Sequence, residues 1–390
     1  MLTLRYDPTL TNILPKLTWK NFIPKDDPPS IDFIEKSLFS YINEKIPSGT
    51  KTISLALSGG IDSTLVLALI RKIFPEIKIN AISIKFTESI DETPQAAKIA
   101  NKFNANHEIV TVENFLLELP KAISIVGLPF WDLHWYYVSK KAKDSSKFLA
   151  SGDGGDELFG GYTFRYAKYL SLVSNSSNPL EKVKAYLECH ERDRVPDQEK
   201  LFGKKVNFSW DSIYEILLPY FDNQLSLLDQ VLLADYNGKL LYNFSIVNTK
   251  INDYFNVQSI TPLLTEKLIK YFASTKNEYK YNVTNNLGKI ILRNLLEKYD
   301  AESLIHDEKL GFSVNTINLW KKYAKRICKD FLLDSRIVND GWLQGDWIKK
   351  NLEKNDLDIK YINKFLGLLA FEIWYRLFIT HEMNQNERLE

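Results

Sequence analysis

Hydrophobic and polar positions change their period partway along the chain. The first thirty residues follow no period, because Pro8, Pro15, Pro24, Pro28 and Pro29 interrupt them, and they read as an extended lead-in. Residues 30–45 then show helical spacing of Ile31, Ile34, Leu38 and Ile42, with Ser30 placed to cap the helix. From residue 51 short β-rich runs alternate with apolar helical stretches. Strands are predicted over 52–57, 77–84, 107–112 and 147–151. Helices are predicted over 63–73, 91–103, from Glu113 and over 135–142. Strands separated by helices require parallel crossovers, hence a doubly wound α/β sheet. After Tyr166 the strand signal stops. Amphipathic helices are expected over 180–191, 209–221, 224–242, 286–298, 317–331 and 359–378. The expected organisation is a lead-in and helix over 1–50, an α/β domain over 51–165 and an all-helical region over 166–390.

Composition narrows the class of partner. Lys and Arg number 50 against 49 Asp and Glu, so the chain lacks the positive field of a nucleic-acid binder. The cluster Lys140, Lys141, Lys143 reads as a solvated helix face. The two cysteines, Cys189 and Cys328, form no CxxC pair, which argues against zinc and fits a reducing, cytoplasmic setting. No secretory leader is read at residues 1–15. The apolar stretch 366–378 is too short to cross a bilayer and carries Glu372 and Arg376, so no membrane association is expected.

Two loops carry the candidate chemistry. The first, Ser58-Gly59-Gly60-Ile61-Asp62-Ser63-Thr64, follows a strand and opens a helix. Its glycines allow a tight turn with inward backbone N–H groups, and the helix N-terminus adds partial positive charge, a nest suited to pyrophosphate. Ser58, Ser63 and Thr64 can donate hydroxyl hydrogen bonds. Asp62 would repel phosphate but can hold Mg²⁺. Neither a Walker A loop nor a dinucleotide fingerprint is present. The segment resembles the SGGxDS loop of the ATP-pyrophosphatase superfamily, whose members cleave ATP between the α and β phosphates and transfer AMP to a substrate.

The second loop, Leu149-Ala-Ser-Gly-Asp-Gly-Gly-Asp-Glu-Leu-Phe-Gly-Gly-Tyr162, again lies at the carboxyl end of a strand, where open α/β sheets bind ligands. Its five glycines allow close backbone approach to a ligand. It resembles the asparagine synthetase family. The resemblance implies that Asp62 and Asp156 hold Mg²⁺, that Asp153 sits beside the reacting centre, and that Ser151 and Gly152 line the nucleotide and acyl pocket. Residues 81–86, including Ile84, look like the family's adenine-bracketing strand. Lys289-Ile-Ile-Leu-Arg293 resembles its K-x-x-L-R helix, with Lys289 assigned to ATP. Lys309-Leu-Gly-Phe312 resembles its K-x-G-F loop, with Lys309 placed to stabilise charge at the α-phosphate and tetrahedral intermediate. Residues 368–376, with Glu372 and Trp374, resemble its terminal helix. The implied cofactors are ATP and Mg²⁺.

Two departures qualify the resemblance. The family usually carries an N-terminal glutaminase domain with cysteine directly after the initiator Met. Here Leu2 takes that place, and too few residues precede Ser58 for such a domain. Nitrogen is therefore expected as ammonia, from a separate glutaminase subunit, or as a substrate amine. A homodimer is an allowed assembly. The family segment E-x-R-x-P-[FL]-L-D also reads Gln258-Ser-Ile260-Thr-Pro262-Leu-Leu-Thr265. Gln258 cannot accept a proton at neutral pH, and Ile260 offers no fork to a carboxylate.

The expected activity is an ATP-dependent, AMP-forming amide synthetase acting on a small carboxylate, aspartate first. The alternatives are a specialised amidotransferase or lactam-forming synthetase acting on another acid and, more remotely, a tRNA-modifying enzyme of the same superfamily. The last should be basic and carry a reactive Cys or zinc cluster, and neither is visible. A binding protein with a dead site is opposed by Asp62, Asp156 and Lys309.

Overall fold

A computed structural model describes residues 1–87, 89–190, 194–305 and 314–390. Among the described residues, strands β1 (Thr52–Ala56), β2 (Lys78–Phe86), β3 (Asn106–Val112), β4 (Phe148–Ala150) and β5 (Gln258–Ile260) form one sheet in the order β3-β2-β1-β4-β5. Every pairing in it is parallel. The order reverses direction between β1 and β4, and the two glycine loops leave the carboxyl ends of these two neighbouring strands. That is where a doubly wound sheet opens a crevice for a ligand.

Alternation along the strands divides the core. Ile53, Leu55, Ile79, Ala81 and Ala150 pack on one face, with Ile34 and Leu38 of helix Ile31–Lys45 and Leu65 and Leu69 of helix Ile61–Ile73. Ala56, Ile82, Ile84 and Leu149 pack on the other, with Leu119, Val138 and Leu366. Both clusters also draw on residues beyond 166, so the sheet and the helical half share their core.

Local signals account for most boundaries. Ser30 caps its helix by accepting from the Phe33 N–H. The long helix Ile359–Phe378 keeps its expected limits, and Asp358 caps it. The helix expected from Glu113 begins instead at Leu119, where Pro120 sits in the first turn and loses no helical donor. The helix expected over 224–242 runs further: Leu227–Asp235 continues through a wide turn, Tyr236–Phe244, kinked at Gly238, into Ser245–Tyr254. The expectation of an all-helical second half needs correcting. Gln258–Ile260 adds the edge strand β5, and residues 281–282 and 287–288 form a small antiparallel pair. Three residues are too few to show a period of two, so pattern alone could not reveal β5. No helix among the described residues is long and apolar enough to cross a membrane.

Candidate active site

The first loop is closed by its own hydroxyls. Gly59 adopts a left-handed φ of 80° at the turn. Ser63 and Thr64 donate to the Gly60 carbonyl at 3.2 and 2.7 Å, and the Ser58 hydroxyl accepts from the Gly60 N–H at 3.3 Å. Thr64 is fully buried, so its hydroxyl serves the turn. From β2, Ser83 donates to the Leu57 carbonyl at 2.6 Å and lies 2.8 Å from His107 Nε2. Ile84, on the same strand, is buried with Phe86 and Val112 in the second core cluster.

The second loop is fixed from β5, where the Ser151 N–H donates to the Ile260 carbonyl at 3.0 Å. Its glycines have a specific steric role. A Cβ at Gly152 would lie 2.5 Å from Asp62 Cβ and 2.6 Å from the Asp62 carbonyl carbon. A Cβ at Gly155 would lie 2.2 Å from Asp62 Cγ, and one at Gly161 would lie 2.0 Å from Asp156 Oδ1. Gly152 and Gly155 make room for the first loop's carboxylate inside the second loop, and Gly161 makes room for Asp156 within it.

Lys289 completes the interlock. It precedes helix Ile290–Glu297 with a left-handed φ of 59°, and its ammonium bonds both Asp62 and Asp156, the latter at 2.8 Å. Burial alone would lower the ammonium's pKa. Asp156 and Asp62 outweigh that effect and hold it above its ordinary value, so Lys289 stays charged. Arg293, one turn on, turns back to the Gly288 carbonyl at 3.2 Å.

Asp153 sits apart from this trio. Its Oδ2 accepts from the Asn248 amide at 3.1 Å. Burial pushes its carboxyl above the usual carboxylate range, and the Ser151 and Asn248 side chains and then the charge of His134 only partly oppose that. His134 opens helix His134–Ala142, and its Nδ1 lies 3.1 Å from Asp132 Oδ1. Asp132 also lines a cavity of about 660 Å³ with Phe130, Trp131, Arg5, Lys239 and Lys364. Asn248, His134 and Asp132 are not among the residues the sequence singles out. No contiguous motif marks them, and only tertiary folding brings them towards the glycine loop.

The remaining expected positions divide. Ile260 is fully buried in β5 opposite Ala150. Gln258 is exposed at the entry to that strand, paired with Phe148, roughly 7 Å back along the strand from the loop end. Thr265 caps helix Glu266–Ala273. Glu372, fully buried, accepts from the N–H groups of Arg336 and Ile337 within the helical half, and Trp374 donates to the Gly127 carbonyl, tying the terminal helix to the end of helix Leu119–Val126. Lys309 and its K-x-G-F loop lie outside the described residues.

The family model for asparagine synthase matches residues 48–376. "Asparagine synthetase [glutamine-hydrolyzing] 1" of Bacillus subtilis is 23% identical over 382 residues, which cover 89% of this chain and 58% of that protein. A "putative asparagine synthetase [glutamine-hydrolyzing]" of Mycobacterium tuberculosis is 30% identical over 378 residues, covering 85% and 55%. The chain thus spans little more than half the length of these relatives. Among solved structures, an NH3-dependent NAD synthetase from Campylobacter jejuni aligns at 18% identity with a TM-score of 0.25, covering 51% of this chain and 99% of that one. With the match running from the strand before the first loop to the end of the terminal helix, the chain belongs to the asparagine synthase family.

Proposed function

We propose that the chain is an ATP-dependent, AMP-forming amide synthetase: it adenylates a carboxylate and passes the acyl group to nitrogen. The observation that carries this reading is the meeting of Asp62, Asp156 and Lys289 between two glycine loops at the reversal point of the sheet. Ser58, Gly59, Gly60 and Ser63 cradle the pyrophosphate on a turn braced by Thr64, while Ser151, Gly152 and the backbone at Ile84 line the nucleotide. Lys289 and Lys309 offset negative charge as the α–β bond breaks.

Magnesium fits the residues present. Asp62 and Asp156 offer hard carboxylate oxygens gathered on one cation, and two carboxylates plus substrate phosphates are a common Mg²⁺ environment. When bound, the metal would neutralise triphosphate charge. This chain's own residues hold the phosphates, fix the loops and keep the acyl carbon beside Asp153.

Aspartate is the first candidate acid, with nitrogen supplied as ammonia, by a separate glutaminase subunit, or as an amine. A second reading, a different carboxylate, is favoured by β5: Ile260 is buried core and Gln258 faces solvent, so neither reads a second carboxylate. ATP–pyrophosphate exchange across a panel of carboxylic acids tests both. Exchange with aspartate alone supports the first, and exchange with another acid alone supports the second. Silence with every acid sinks the adenylation reading.

A further inference from the structure

A nitrogen nucleophile must lose a proton as it attacks an acyl-adenylate, and the position that resemblance would assign to a carboxylate base, Gln258, is a neutral amide exposed at the far end of β5. A different candidate stands on helix His134–Ala142, which packs against helix Ser245–Tyr254: Trp135 and Ser139 bond Asn252 there, one turn on from the Asn248 that bonds Asp153. His134 is the first residue of its helix, its Nδ1 is bonded to Asp132, and its Nε2 makes no hydrogen bond among the described residues. The ring is one-quarter exposed and so remains reachable. Asp132 borders the 660 Å³ cavity, whose other walls carry aromatic and cationic side chains. We infer that His134, oriented by Asp132, accepts the proton from the attacking nitrogen, an assignment that rests on the amide-forming reading above.

The geometry resembles a general-base dyad: a carboxylate on one ring nitrogen fixes the tautomer and leaves the other nitrogen's lone pair directed outward. In the step, the nitrogen lone pair forms the C–N bond to the acyl carbon. The C–O bond to AMP breaks and AMP leaves with that electron pair. The N–H proton passes to His134 Nε2. No other reactant is required.

The charged groups around the ring set its pH range. Asp132 faces it from the preceding loop and Asp153 from the loop after β4, while Asn248 on helix Ser245–Tyr254 adds no charge. Arg5 and Lys239 act on Asp132 from behind. Desolvation lowers the imidazole pKa, but Asp132 and then Asp153 outweigh it, and the net direction is upward. A base works in its neutral form, so amide formation should rise as pH climbs through a value above 6.5, the ordinary one for histidine.

The test uses the full chain with the acid that gives pyrophosphate exchange in the panel, and two nitrogen donors: ammonium chloride, adjusted at each pH to hold free ammonia constant, and hydroxylamine, whose attacking nitrogen becomes a stronger acid than that of ammonia and sheds its proton to water more readily. In His134→Gln, exchange should stay within about twofold of wild type while amide formation from ammonium falls about 100-fold. Hydroxamate formation should fall much less, and the rising limb of the pH profile should vanish. Asp132→Asn should keep the limb but move it to lower pH, since the raising carboxylate is gone. If His134→Gln fails to fold, the position of the limb in Asp132→Asn decides the matter: an unmoved limb excludes His134 as the base. Amide formation near wild type in His134→Gln with the limb intact overturns the inference, as does a parallel loss of exchange and amide formation, which marks a structural role. Absence of exchange in wild type with every acid is a different failure, which removes the adenylation reading and this inference with it.

Discussion

At the β1 side of the site, Asp62, Asp156 and Lys289 are locked so closely that a single added methyl at Gly152 or Gly155 would collide with an aspartate. One loop turn away, Asp153 has a single amide partner and a displaced pKa, and the neighbouring β5 positions are apolar core or solvent-facing. The first region has mutually dependent parts, because both carboxylates share the one ammonium of Lys289 and removing it leaves two close negative charges unbalanced. The second has parts that can be exchanged singly. On the proposed reading, the first region is the place for triphosphate and the second is where the acid and the amine are selected.

Four substitutions can break or sharpen that contrast. The largest effect is expected from Asp62→Ala, which should lower pyrophosphate release by about 100- to 1,000-fold or more, with circular dichroism unchanged. Activity near wild type would remove Asp62 from the metal and phosphate role. Next is Gly152→Ala. Its Cβ meets Asp62 backbone and side chain, and overpacking of this kind costs about 1–3 kcal/mol in denaturant unfolding, together with most of the adenylation activity. An unchanged unfolding midpoint would mean the loops are not interlocked.

Asp153→Asn separates the two regions. Amide yield should fall by about tenfold or more, with exchange less affected. Because the folded carboxyl is raised, the folded state holds its proton more tightly than the unfolded chain, so stability falls as pH rises through the folded pKa. The Asn variant, which keeps an acceptor for Asn248, should therefore unfold at higher temperature than wild type above that pH and should lose the pH dependence. A variant less stable at pH 8 would contradict the charge argument. The smallest effect belongs to Gln258→Ala, expected within about 0.5 kcal/mol in stability and neutral for amide formation. A large loss of amide formation there would return the base to β5.

Both glycine loops were legible in the sequence because their glycines and acids are contiguous and each follows a strand. Lys289 was recognisable as a cation near the site, but not as the bridge between two carboxylates, which depends on a left-handed turn at a non-glycine residue. Asn248, Asp132 and His134 were unreadable for a different reason. They stand on separate helices and loops, and each alone has the character of an ordinary surface or core polar residue. β5 was hidden by its length, and its burial gives Ile260 a reason to be isoleucine that no alignment of short segments supplies.

The hydrogen bond from Ser151 to Ile260 also bears on the order in which the molecule assembles. Its partners lie about a hundred residues apart, so the loop after β4 gains its anchor only when the chain returns to the sheet from the far side of several helices, a contact that loop-closure entropy delays. The glycine turn after β1 draws its hydrogen bonds from neighbours within a few residues and from the adjoining β2. During synthesis the first loop can be in place while the second still lacks its edge.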